Sequence, residues 1–167
     1  MDLLLTAHAD VGGAIVSSGG TGTHHLHDRV TALGRVTEVQ AGSYALMDTQ
    51  YAQHGFVFRQ AAFVLGTVVS TRLATRDADG HAVADVGLKA LGMDHGNPSI
   101  VGGRVWFCSD EHVTFGREPD SNATWRVGDR VRVVPAHIDP TVSQHASAWI
   151  VRGDEVVDRW PIDLRGW

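Results

Sequence analysis

His137-Ile138-Asp139 follows a strand-like run, Arg130 to Val134, and stands just before Pro140. At a spacing of two in extended backbone, both side chains project from one face and can share a cation. An imidazole with a carboxylate suits Mn, Zn, Fe or Ni, and an oxygen ligand in place of a thiolate leans toward the harder ions. Two protein ligands leave the rest of the sphere to water or a substrate hydroxyl, the open arrangement of a catalytic metal. The plainer reading of the pair is a strand-end histidine hydrogen-bonded to a turn aspartate. His112, preceded by Asp110 and Glu111, and His145 are further candidates for the same pocket, or else surface acid-histidine pairs.

A second constellation lies near the start. Gly19-Gly20-Thr21-Gly22-Thr23 follows the apolar run Gly13 to Ser17 and opens a helix-like stretch from His24 to Leu33, closed by Gly34. Backbone N–H groups in such a loop can cradle an anion, and the threonine hydroxyls add donors. It is no Walker loop, which needs Gly-Lys-Ser/Thr. It also misses the dinucleotide fingerprint, because His25 stands where a third glycine belongs. The alternative is a flexible strand-to-helix turn. His24, His25 and His27 read as a solvated face, and Cys108 as a small buried hydrophobe. Lys89, the only lysine among 14 basic residues, is a possible imine former or simply a solvated turn residue.

The elements that must position these groups fall into two unequal parts. Strand, glycine loop, helix and a second strand at Arg35 to Gln40 make one α/β unit. Such a unit alone cannot close a parallel barrel. From about Gln60 the chain turns to short β-branched segments: Ala62 to Thr71, Gly103 to Cys108, His112 to Phe115, Arg130 to Val134, Ala148 to Val151 and Glu155 to Trp160. Turn signals such as Asp79-Gly80, Gly96-Asn97-Pro98, Gly128-Asp129 and Gly153-Asp154 separate them. The expected fold is therefore mainly β: an antiparallel barrel or sandwich over residues 53–167, preceded by the last α/β unit of an incomplete barrel over residues 1–52. Glu118 to Thr124 reads as an exposed loop.

Composition narrows the partners. The 167 residues carry a net charge of -5, with arginines scattered singly, which argues against a nucleic-acid footprint. Apolar runs fall short of the roughly 20 residues that span a bilayer, and Met1 to Leu5 lacks a basic leader region. A single cysteine excludes internal disulfides. A cytoplasmic protein that binds neither nucleic acid nor membrane is the expectation.

Four stretches in order resemble the C-terminal part of the D-threonine aldolase and D-serine dehydratase family, pyridoxal-phosphate enzymes of alanine-racemase-like fold. They are Ser18 to Thr23; Glu38 to Tyr44 with Met47, Asp48 and Tyr51; Asp85 to Leu91 with Asp94; and Pro135 to Val142. Val156 to Pro161 also looks like the family's last strand. The resemblance implies that Gly20, Thr21, Gly22 and Thr23, with Gly42, Ser43 and Tyr44, hold the cofactor phosphate. It implies that Gln40 approaches the pyridine ring, and that His137 and Asp139 bind a divalent metal. The Asp variant is similar to the aldolase branch, where Mn is typical, more than to the dehydratase branch, where Zn is usual.

Retro-aldol cleavage of a D-β-hydroxy amino acid to glycine and an aldehyde is the implied reaction, with β-elimination as the alternative. The family's Schiff-base lysine lies in an early barrel strand that this sequence does not contain, and Lys89 matches a lysine of the β domain instead. No catalytic residue is therefore expected here. A complementary barrel chain or a homodimer is the expected complement, and a stand-alone metal- or ligand-binding β module is the other reading.

Overall fold

The computed structural model describes residues 2–27, 36–74, 80–163 and 165. An opening helix, α1 (Asp2–Val11), buries none of its residues. Single 3-10 turns follow at His24–Leu26 and Ser43–Ala45, then the short helix α2 (Thr49–Ala52). Among the described residues, the segment of the expected α/β unit shows one parallel bridge, Ser17 to Glu38, reinforced by the Ser18 amide donating to the Glu38 carbonyl at 3.0 Å. Most of the helix expected from His24 to Leu33 lies outside the described residues, as does Asp79 of the Asp79-Gly80 turn.

The β part closes. β1 (Val64–Arg72), β2 (His81–Ala84), β3 (Ser99–Ile100), β4 (Gly103–Cys108), β5 (Val113–Arg117) and β6 (Arg130–Val134) form an antiparallel barrel in the order β1-β2-β5-β4-β3-β6, shut by β6 on β1. Strands β2 and β3 are the two that the sequence pattern did not mark. Alternation sorts the side chains: Val131 and Val133 point inward while Arg130 and Arg132 stay exposed. Val68, Ala84, Val113, Phe115 and Val133 are all but completely buried, so the interior is a packed core rather than a channel. Trp125 meets Phe115 edge-on at 4.9 Å. Cys108, half-buried, packs against this core.

Helix α3 (Ile138–Ser143) follows β6, and the hairpin of β7 (Ser147–Arg152) and β8 (Glu155–Pro161) forms a separate two-stranded ribbon. No residue of β8 is buried. Among the described residues, no helix is long and apolar enough to cross a membrane.

Candidate metal centre and phosphate cradle

His137 and Asp139 do converge, by a route other than the extended backbone expected of them. His137 is extended (φ -139, ψ 118), but it is the N-cap of α3, and Asp139 is the second helical residue. Proline is tolerated in a helix's first turn, where its missing N–H is no loss, so Pro140 fits as the third residue of α3. His137 Nε2 stands 3.4 Å from Asp139 Oδ2. Ligands about 2.1 Å from one ion, at tetrahedral or octahedral angles, stand roughly 3.0–3.4 Å apart. The pair therefore has the separation of two ligands to one divalent cation.

The other ring nitrogen is committed. Asp94 Oδ2 lies 2.7 Å from His137 Nδ1, and this hydrogen bond is the main cause holding the Asp94 carboxyl below its ordinary range. An ionised carboxylate only accepts, so Nδ1 carries a proton toward Asp94 while Nε2 faces Asp139. Gly92 makes this approach possible. It bridges to His137, its amide donates to Thr141 Oγ1 at 2.8 Å, and a Cβ there would collide with Pro140.

A second donor set, Asp94, His95 and His137, also lies within metal-holding reach, each atom within 4.8 Å of the others. His95 Nε2 is 3.5 Å from Asp94 Oδ2, and the two imidazoles meet edge-on at 4.3 Å. Because Asp94 already takes the Nδ1 proton, it orients His137 in this arrangement, and Nε2 with Asp139 is the better-prepared pair. His95 was not singled out from the sequence. Its signal was the doublet Asp94-His95 at the end of the Asp85 to Leu91 stretch. His112 and His145 are not in this cluster: His145 Nε2 contacts the Ala90 carbonyl at 2.9 Å, and His112 sits in the turn between β4 and β5.

The glycine loop meets the Gly42 turn. Tyr44 N donates to Thr21 Oγ1 at 3.1 Å, Gly20 N to Thr23 Oγ1 at 3.1 Å, and Gln40 N to the Gly19 carbonyl at 3.3 Å. The amides of Thr21, Gly22, Gly42 and Ser43 have no partner among the described residues, and that donor set fits an anion. Gln40 turns its side chain to Glu38, at 2.8 Å. His24, His25 and His27 are not the solvated face expected of them. All three are partly buried, His24 Nδ1 donating to the Thr21 carbonyl at 2.8 Å and its ring packing on Phe56 and Phe58. Ser43 Oγ donates to Asp139 Oδ2 at 3.2 Å and so joins the two constellations. Lys89 is exposed and paired with Glu111 at 2.7 Å.

Comparison with known proteins identifies the family. The family described as "Putative serine dehydratase domain" matches residues 61–151. A D-threonine aldolase of Arthrobacter is 36% identical over 158 residues, 90% of this chain and 39% of that protein. A 3-hydroxy-D-aspartate aldolase of Paracoccus denitrificans is 34% identical with the same coverage. The crystal structure of D-threonine aldolase from Filomicrobium marinum superposes with a TM-score of 0.79 at 35% identity, covering 96% of this chain and 44% of that one. D-threo-3-hydroxyaspartate dehydratase from Delftia, a variant of which was solved in a metal-free form, gives 0.73 at 25% identity, covering 97% and 48%. The chain spans less than half the length of these relatives. It belongs to the D-threonine aldolase and D-serine dehydratase family and corresponds to the C-terminal part of those alanine-racemase-like enzymes.

Proposed function

We propose that this chain is the metal-binding and phosphate-holding portion of a pyridoxal-phosphate lyase that cleaves D-β-hydroxy amino acids to glycine and an aldehyde. The observation that carries this reading is the His137 imidazole held between two carboxylates, with Nδ1 on Asp94 and Nε2 facing Asp139. His137 and Asp139 would hold a divalent cation, which would supply Lewis acidity toward a substrate β-hydroxyl, and bound pyridoxal phosphate would supply an electron sink. The chain's own residues bind and orient. Asp94 fixes the tautomer of His137, and Ser43 holds the Asp139 carboxylate. Thr21, Gly22, Gly42 and Ser43 offer amides to the phosphate, with Gly20, Thr23 and Tyr44 shaping the turn around them.

The oxygen ligand Asp139 leans toward a harder ion such as Mn, and the aldolase reading rests on the likeness to the aldolase branch of the family. Lys89 is exposed and ion-paired with Glu111, and the family resemblance assigns the imine-forming lysine to a barrel strand, in a longer chain or a companion one. Mn titration of the purified chain tests the reading: about one ion should bind, and His137→Ala should abolish it. Unchanged affinity in His137→Ala would remove the metal site. Cleavage of D-threonine by the purified 167-residue chain would remove the claim that it needs a complement.

A further inference from the structure

We propose that Asp48 is a positioning residue for the metal pair, an inference that rests on His137 and Asp139 holding the cation. Asp48 is 0% exposed, and its two oxygens serve two different helices. Oδ1 accepts the Tyr51 amide at 2.9 Å and so caps α2. Oδ2 accepts the Ile138 amide at 3.0 Å, from 90 residues away.

The second bond answers a specific need of α3. A helix start leaves its first amides without intrahelical partners, and the N-cap side chain usually serves one of them. His137 is the N-cap of α3 and makes no capping bond, its ring being taken up by Asp94. Pro140 has no N–H to offer. The buried Ile138 amide therefore requires an outside acceptor, and Asp48 supplies it with a charge-assisted bond.

Ile138 lies between the two ligands, so the direction of its amide sets the backbone from which both side chains spring. Asp48 is itself anchored, since the neighbouring Thr49 amide donates to the Pro135 carbonyl at 3.0 Å. Gln60 Nε2 also holds the Met47 carbonyl at 3.0 Å. Met47 adopts a left-handed φ of 61, which turns the chain sharply out of the Ser43–Ala45 segment and into the Asp48 cap. The turn that carries Ser43 and the carboxylate that holds Ile138 are thus five residues apart and grip the start of α3 at adjacent points.

Only a carboxylate presents two acceptors to two separate amides. Asparagine offers one and turns an NH2 toward the other donor; serine keeps the α2 cap but is too short to reach Ile138 as well. The test is Co2+ titration of the 167-residue chain and of its Asp48→Asn and Asp48→Ser variants, read as affinity and as the visible absorption spectrum of the bound ion, with circular dichroism reporting the fold. Both variants should bind about tenfold or more weakly with a shifted spectrum, the range seen when a residue that orients a ligand is removed. If Asp48→Asn does not fold, Asp48→Ser decides. Wild-type affinity, or weaker binding with an unaltered spectrum, overturns the proposal. His137→Ala measured alongside separates the two claims: metal lost there but bound with wild-type affinity in the Asp48 variants sinks the positioning role alone, whereas metal retained in His137→Ala sinks the site.

Discussion

Gly92 lies so flat against Pro140 that a Cβ on it would stand 2.4 Å from the proline Cγ and 3.1 Å from the His137 carbonyl. The side-chain-free residue is what lets the Asp94 segment reach the start of α3. Gly92→Ala should lower stability by about 1–3 kcal/mol, the usual cost of forcing a methyl into a filled space. Thermal unfolding checks it. An unchanged midpoint would mean that the two segments separate easily.

Asp94→Asn keeps the shape of the side chain but removes the charge that fixes the His137 tautomer. Mn affinity should fall about tenfold while the unfolding midpoint moves little, because Asp94 is largely exposed. Calorimetric titration reads the first quantity and a melting curve the second. Equal Mn affinity in the two proteins would remove the orienting role of Asp94 and would also count against the set of Asp94, His95 and His137, in which Asp94 is itself a ligand.

Cys108 should be a poor nucleophile in the folded chain. Burial pushes its thiol from 9.0 up to about 11, so at pH 8 the thiolate is scarce. The folded state then holds its proton more tightly than the unfolded state. Its contribution to stability is complete below pH 9 and is lost as the pH rises through about 11. Alkylation rates at pH 8 with and without urea check the reactivity; equally fast modification in both would show the thiol to be open.

Phe115→Ala should cost about 3–5 kcal/mol, since the ring fills the barrel centre and leaves a cavity that its neighbours only partly close. Denaturant titration should show a lower midpoint in barrel unfolding. A loss under about 1 kcal/mol would mean that Trp125 moves in to fill the space.

Much of the barrel was legible because its strands obey a two-residue period. Val131 and Val133 against Arg130 and Arg132 gave one strand almost to the residue. β3, two residues long, and β2, four, are too short to show a period, and their pairing partners supply what their own sequence does not. His137 and Asp139 were found by residue type, but the backbone assigned to them was wrong. Pro140 is a first-turn residue of α3, and the acceptor for the Ile138 amide comes from Asp48, far away in sequence. Contacts of that kind, like the one between His137 and Asp94, have no local signature. Likewise, the histidines at 24 and 25 look solvated until Phe56 and Phe58 fold back over them.

The ribbon of β7 and β8 carries a further consequence. Trp149 and Trp160 stand on it 62% and 57% exposed, whereas Trp125 is turned into the barrel against Phe115. Indole emission shifts to shorter wavelength and escapes quenchers when water is displaced from it. The hairpin is therefore a built-in dye: a second copy, or the remainder of a longer enzyme, laid across it would announce itself in the colour of the protein's own fluorescence, with no label attached.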